Sequence, residues 1–121
     1  MTALQILSLS HSQVADIAPL NDLRALEQLD LSDTQVAGIA PLKDLKALQS
    51  LNLSRTQVAD IVPLRELTTL RSLSLDNTPA GDFTPLQDLP MLKKISGPTE
   101  EAMVTLNAYR AQKGLPAIAL K

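Results

Sequence analysis

The stretch Val36-Ala37-Gly38-Ile39-Ala40-Pro41-Leu42-Lys43-Asp44-Leu45 returns 22 positions later as Val58-Ala59-Asp60-Ile61-Val62-Pro63-Leu64-Arg65-Glu66-Leu67. It has already occurred 22 positions earlier as Val14-Ala15-Asp16-Ile17-Ala18-Pro19-Leu20-Asn21-Asp22-Leu23. Self-similarity at a fixed period of this length marks a chain of stacked supersecondary units, each unable to bury its apolar face alone. Outward from that stretch the same spacing aligns Leu4, Leu26, Leu48, Leu70 and Leu92, then Leu7, Leu29, Leu51, Leu73 and Ile95, then Leu9, Leu31, Leu53 and Leu75. The columns Val14/Val36/Val58/Ala80, Ile17/Ile39/Ile61/Phe83, Leu20/Leu42/Leu64/Leu86, Leu23/Leu45/Leu67/Leu89 and Pro19/Pro41/Pro63/Pro85 complete the repeat.

Inside one repeat the apolar period changes. Leu29-Asp30-Leu31 alternates with period two, as a strand with one buried face does, whereas Leu42 and Leu45 are spaced by three, as in a helical turn. Proline suits the start of that turn, because its φ is preset and its missing N–H would have no partner there. The repeat therefore reads as a short strand followed by one turn of 3₁₀ or α-helix.

Composition supports stacking. In 121 residues, 45% are hydrophobic and only 2% aromatic, so the core consists of Leu, Ile, Val and Ala, whose like shapes nest in columns. The length suits one domain. A formal net charge of -2 with scattered signs leaves no basic stripe for nucleic acid or an anionic membrane. The chain has no cysteine, which removes disulfides and thiolate metal sites. No segment approaches a membrane span or a secretory leader, so the cytoplasm is the expected location, with secretion after loss of a leader as the alternative.

The signature Asp-Ile-x-Pro-Leu in Asp16–Leu20 and Asp60–Leu64, with Gly38 in place of the aspartate in the second copy, resembles the 22-residue leucine-rich repeats of the bacterial internalin type. The resemblance covers Leu4 to about Ile95, four full repeats and part of a fifth. It implies a right-handed α/β solenoid with a concave parallel sheet and short convex 3₁₀ or helical turns. One position departs: the family's usual asparagine is Ser12, Thr34, Thr56 and Thr78 here. A hydroxyl has one proton to donate where an amide has two, so any ladder of side-chain bonds between coils should be thinner.

The repeats occupy residues 1–97, and residues 98–121 read as a C-terminal capping helix and tail. Thr99-Glu100-Glu101 opens the helix with carboxylates at its positive end, and Gly114 and Pro116 close it. Met103, Leu106 and Arg110, with Val104, Ala108 and Ala111 alongside, give it an apolar stripe of modest width; a cap lying across the last coil is the favoured reading, with a partner-binding helix as the alternative, and Tyr109 belongs to the cap's packing rather than to a binding hot spot. By contrast, Leu7, Leu9, Val14, Ile17 and Leu20 of the first coil have no preceding shield. A fragment of a longer protein is the favoured explanation, with pairing to a second copy or fraying as alternatives.

Strand alternation puts Ser8, Asp30, Asn52 and Ser74 on the concave face. Beside them run Ser10, Ser32, Ser54 and Asp76, then His11, Asp33, Arg55 and Asn77. His11 beside Asp33, with serines near, superficially offers a nucleophile set, but an open one-layer sheet supplies neither a dry cleft nor free backbone donors for an oxyanion. His11, Asp30 and Asp33 as metal ligands lack a second shell. No enzyme, metal site or cofactor is expected. Asp30 and Asp33 make the second coil acidic, whereas Arg55, Arg71, Lys93 and Lys94 make later coils basic. The expected function is a protein-interaction module whose partner, a protein or peptide, meets Ser8, His11, Asp30, Asp33, Asn52, Arg55, Ser74 and Asn77. A homodimer through the N-terminal end is the alternative.

Overall fold

The computed structural model describes residues 4–120. Five repeats begin with three-residue strands: β1 (Ile6–Ser8), β2 (Gln28–Asp30), β3 (Ser50–Asn52), β4 (Ser72–Ser74) and β5 (Lys94–Ser96). They pair in parallel and in sequence order, with Leu7, Leu29, Leu51, Leu73 and Ile95 directly opposite one another. Register equals the repeat: each partner lies 22 positions on. The central residue of β2 to β5 is buried, and its flanking residues alternate to the other face, where all but the buried Ser96 are at least partly exposed.

Opposite the sheet, 3₁₀ turns at Ala18–Asp22, Ala40–Asp44, Val62–Glu66 and Thr84–Leu86 stack above each other, each with its proline in the first positions. The signature aspartate has a mechanical role. Asp16 Oδ1 accepts from Ala18 N at 3.0 Å, Asp60 Oδ1 from Val62 N at 2.9 Å and Asp82 Oδ1 from Thr84 N at 3.0 Å. Those N–H groups open the turns and have no partner within them. Between sheet and turns lies one continuous aliphatic core running from Ile17 to Ile118. In the first coil Leu7, Leu9, Val14 and Leu20 are only partly buried, although their column mates in coils two and three are closed off. Ile17 is buried even there.

The hydroxyl column does not link coils. Ser12, Thr34, Thr56 and Thr78 each donate to the carbonyl three residues earlier in their own coil, at 2.6, 2.7, 2.7 and 2.9 Å. They close the bend that follows each strand. Inter-coil ties at this level are backbone bonds instead, from Gln35 N to Val14 O at 3.0 Å and from Gln57 N to Val36 O at 2.9 Å.

After β5 the chain turns at Gly97, whose φ of +114° excludes most side chains and whose added Cβ would meet the Leu75 carbonyl carbon and oxygen at 2.7 Å. Helix α1 (Glu100–Gln112) then takes the place of the 3₁₀ turn of coil five. Thr99 Oγ1 accepts from Ala102 N at 3.1 Å, with Glu100 and Glu101 in the first turn. Leu115 N bonds Arg110 O at 2.8 Å and Gly114 N bonds Ala111 O at 3.2 Å, a Schellman ending that requires the left-handed φ of +75° at Gly114. Of the apolar stripe only one row faces inward. Met103, Leu106 and Arg110 are buried, but Val104 is 70% exposed, and Ala108 and Ala111 are exposed too.

The tail is a strand. Asn107 presents its amide to Ile118 as a strand would, donating Nδ2 to the carbonyl at 3.1 Å and accepting the N–H at 2.8 Å. Strand β6 (Ala119–Leu120) then joins the sheet parallel to β5, so α1 is a crossover between neighbouring parallel strands. Arg110 secures that crossover from within. It is fully buried, and donates Nε to Pro116 O at 2.8 Å and Nη1 to Leu89 O at 2.9 Å and Gln87 O at 3.2 Å, while Nη2 has no partner. Burial lowers its affinity for the proton, and Asp88 acts in the opposite sense.

Candidate binding surface

Because the register is the repeat, the outward strand residues form straight columns across the sheet. Ser8, Asp30, Asn52, Ser74 and Ser96 lie opposite one another in successive strands. A second column on the same face, Ile6, Gln28, Ser50, Ser72 and Lys94, follows from the same alternation two residues earlier. Sequence reading passed over it, although period two from the buried leucines places it there. Together Ile6, Ser8, Gln28, Asp30, Ser50 and Asn52 line a shallow groove over the first three coils. Ile6 is an exposed apolar side chain within it.

The serine column next to Ser8 behaves differently from its expected outward role. Ser32 and Ser54 are buried, because the preceding side chain draws the backbone round. Asp30 Oδ1 accepts from Ser32 N at 2.9 Å and from Ser32 Oγ at 2.6 Å, and Asn52 Oδ1 accepts from Ser54 N at 3.0 Å. Asp30 and Asn52 are thus partly engaged in holding the turn. Asp76 remains exposed and accepts from Ser96 Oγ at 2.9 Å.

His11, Asp33, Arg55 and Asn77 are all exposed and all have φ between 55° and 58°. A left-handed residue is needed once per coil to leave the strand, and Asn, Asp and His tolerate that region better than most side chains. Arg55 does so without that advantage. Each of the first three also donates its N–H to the next coil, His11 to Ser32 O at 3.0 Å, Asp33 to Ser54 O at 2.9 Å and Arg55 to Asp76 O at 2.8 Å. The left-handed bend therefore aims these side chains outward while its backbone stays in the ladder.

His11 Nδ1 and Asp33 Oδ2 lie 2.7 Å apart, with side chains 67% and 51% exposed. At that exposure the pair contributes little stability. Ser10 Oγ is 3.1 Å from Ser8 Oγ, and Ser32 Oγ is committed to Asp30, so no described hydrogen bond joins a serine to His11. Among the described residues no three His, Cys, Asp or Glu side chains gather as a metal site would need. Nor is any described helix long and apolar enough to cross a membrane.

A stack of parallel strands with one 3₁₀ turn per coil and leucine columns between them defines a leucine-rich-repeat solenoid, and the chain belongs to that family. The model of leucine-rich repeats in two copies matches residues 2–46 and 46–88. No curated protein matches the chain. Among solved structures it is similar to internalin C2 of Listeria monocytogenes, with 29% identity and a TM-score of 0.79 over 99% of this chain and 53% of that one. A leucine-rich-repeat protein of Leptospira interrogans shares 22% identity at a TM-score of 0.75, over 95% of this chain and 30% of that one. A second Listeria monocytogenes internalin shares 23% identity at a TM-score of 0.61, over 88% of this chain and 40% of that one. The last two likenesses speak for the fold alone. The chain spans about half the length of the internalin C2 structure and less of the others. Leucine-rich-repeat domains are protein–protein interaction modules, typically without enzymatic chemistry.

Proposed function

We propose that the chain binds a protein or peptide through its concave sheet face, as a segment of a larger bacterial protein. The observation that carries this reading is the set of aligned, outward columns: Ser8, Asp30, Asn52 and Ser74 on the strands, and His11, Asp33, Arg55 and Asn77 on the bends that follow. Charge along the face is weighted, with Asp30 and Asp33 in coil two, Arg55 in coil three, Arg71 and Asp76 together in coil four, and Lys93 and Lys94 exposed beyond. A partner with the reverse order would be steered into register. The face carries no Trp, Tyr or Phe, the side chains that most often anchor tight interfaces, so affinity through it alone is weak. Partial coverage of larger bacterial solenoids supports the reading as a segment.

The test is capture of a partner by the intact chain, followed by affinity measurements on two sets of variants. Asp33→Arg and Arg55→Glu on the bends should each weaken binding, and Arg65→Glu on the opposite side should not. The reverse pattern would remove the concave face from consideration. A second reading, self-association through the first coil, is favoured by the partly exposed Leu7, Leu9, Val14 and Leu20. Edge strands with unpaired backbone groups invite such pairing. Sedimentation across a concentration range separates the two, since only self-association makes the mass rise with concentration.

A further inference from the structure

Repeat four breaks its own columns in one place. The column Val14/Val36/Val58 ends in Ala80, and Ala15/Ala37/Ala59 ends in Gly81, while Ile17/Ile39/Ile61 ends in Phe83. Two successive positions lose volume and the third gains a ring. The neighbouring coil changes at the same level, because there α1 replaces a narrow 3₁₀ turn. A wide helix beside a shortened wall cannot close on it. The result is an open groove of about 370 Å³ between coil four and α1, walled by Gly81, Phe83, Ala102, Leu106 and Tyr109.

Three features make this more than a packing gap. The chain has one Phe and one Tyr, and both line this groove. Aromatic walls give large apolar contact at low entropic cost, which is why they recur where proteins bind ligands and partners. Tyr109 is held in place, with its Oη donating to Asp88 Oδ1 at 3.1 Å and the Lys113 ammonium 5.6 Å from its ring centre. Finally, the one charged side chain that lines the groove is acidic. Asp82 lines the groove and is exposed, and its carboxylate takes two hydrogen bonds from Thr84, at 2.7 and 3.0 Å. Those bonds hold its carboxyl below the usual range. Asp88, which accepts from Tyr109, and the Lys113 ammonium over the same ring carry opposite charges at that wall, so Asp82 is the acidic group that faces the groove.

We propose that this groove, away from the concave sheet, is a second protein-binding site that receives an aliphatic or aromatic side chain flanked by cationic residues in an extended peptide segment. The apolar wall takes the anchor, and Asp82 selects the flanking charge. Glutamate or aspartate at the same places would meet like charge. This site does not depend on the concave-face reading, and either can fail alone.

The test uses the full chain labelled with ¹⁵N and two probe peptides, acetyl-Arg-Phe-Arg-amide and acetyl-Glu-Phe-Glu-amide. The cationic peptide should give saturable amide shifts centred on Gly81, Asp82, Ala102 and Thr105, weakening as salt is added. The acidic peptide should give none. Gly81→Leu is the decisive variant, because a Cβ there meets nothing within 4 Å and the backbone is not left-handed, so the fold accepts it while the groove fills. It should weaken the cationic peptide by about tenfold or more, the equivalent of one apolar anchor losing most of its burial. Asp82→Lys should weaken it independently, and unchanged spectra elsewhere report the fold of both variants. Absence of saturable shifts, equal binding of the acidic peptide, indifference to Gly81→Leu, or shifts confined to the concave strands would each overturn the proposal.

Discussion

Replacing leucine by alanine along one column, Leu9, Leu31, Leu53 and Leu75, should give losses that depend on place and not on chemistry. Leu53 is fully buried, with Leu31 and Leu75 buried in the same column on either side. Truncation there removes roughly three methylene equivalents, about 2.4 kcal/mol at about 0.8 per buried group. The void is bounded by coils that cannot collapse without breaking register, which adds about 24 cal/mol per Å³ and brings the total to about 3–4 kcal/mol. With a urea slope of about 1.5–2 kcal/mol/M, the midpoint of unfolding should fall by about 2 M. Leu9 belongs to the same column but is only partly buried. Its truncation leaves a notch open to water rather than a cavity, so the loss should be about 1 kcal/mol. Urea titrations of Leu9→Ala and Leu53→Ala followed by circular dichroism make the comparison. Equal losses, or a cost below about 1 kcal/mol at Leu53, would refute the nearest-neighbour account of the core.

Thr56→Val should cost about 1–3 kcal/mol, because it strips the buried Leu53 carbonyl of its 2.7 Å donor, whereas Thr56→Ser keeps that bond and should lose less; chemical denaturation of both variants checks the order. Asn52→Ala removes the acceptor of the buried Ser54 N–H and should cost about 1 kcal/mol, well under the loss at neighbouring Leu53 although the two are adjacent in sequence. Arg110→Met leaves the carbonyls of Pro116, Gln87 and Leu89 without their donor and should destabilise α1 by about 1–3 kcal/mol, seen as loss of helical signal at denaturant concentrations where the coils persist. Amide exchange of residues 4–14 should be fast at every protein concentration if coil one frays, and should slow with concentration if it pairs with a second copy; slow exchange independent of concentration would exclude both.

Most of the solenoid is legible in the chain because its order is one-dimensional. A 22-residue period sets strand register, column membership and the side of each leucine without reference to anything distant, since neighbours in space are neighbours in the repeat. The outward column of Ser8 follows from strand alternation, whereas that of His11, which alternation would turn inward, is set by the left-handed bend, and His11 meets Asp33 because Asp33 is its repeat mate. Legibility stops where a side chain chooses between backbone partners a few residues away. Ser32 and Ser54 alternate as if exposed, but an Asp30 or Asn52 oxygen two residues back turns them inward. Thr34 and Thr56 sit in the column where a thinned ladder between coils is expected, yet each hydroxyl donates instead to a carbonyl three residues earlier in its own coil.

Where the period ends only local signals remain, and they give the two ends of α1 at Thr99 and Gly114 but not what it packs against. Past Ile95 no repeat assigns a partner, and only packing in three dimensions could pair Ile95 with Leu120, bring Asn107 to Ile118 and bury Arg110 against the carbonyls of coil four. The groove between Phe83 and Tyr109 has the same origin, since its two walls lie 26 residues apart in sequence and belong to elements of unequal width. A repeating pattern specifies how like units stack. How the stack meets a unit unlike itself depends on the shapes that face each other, and those exist only after folding.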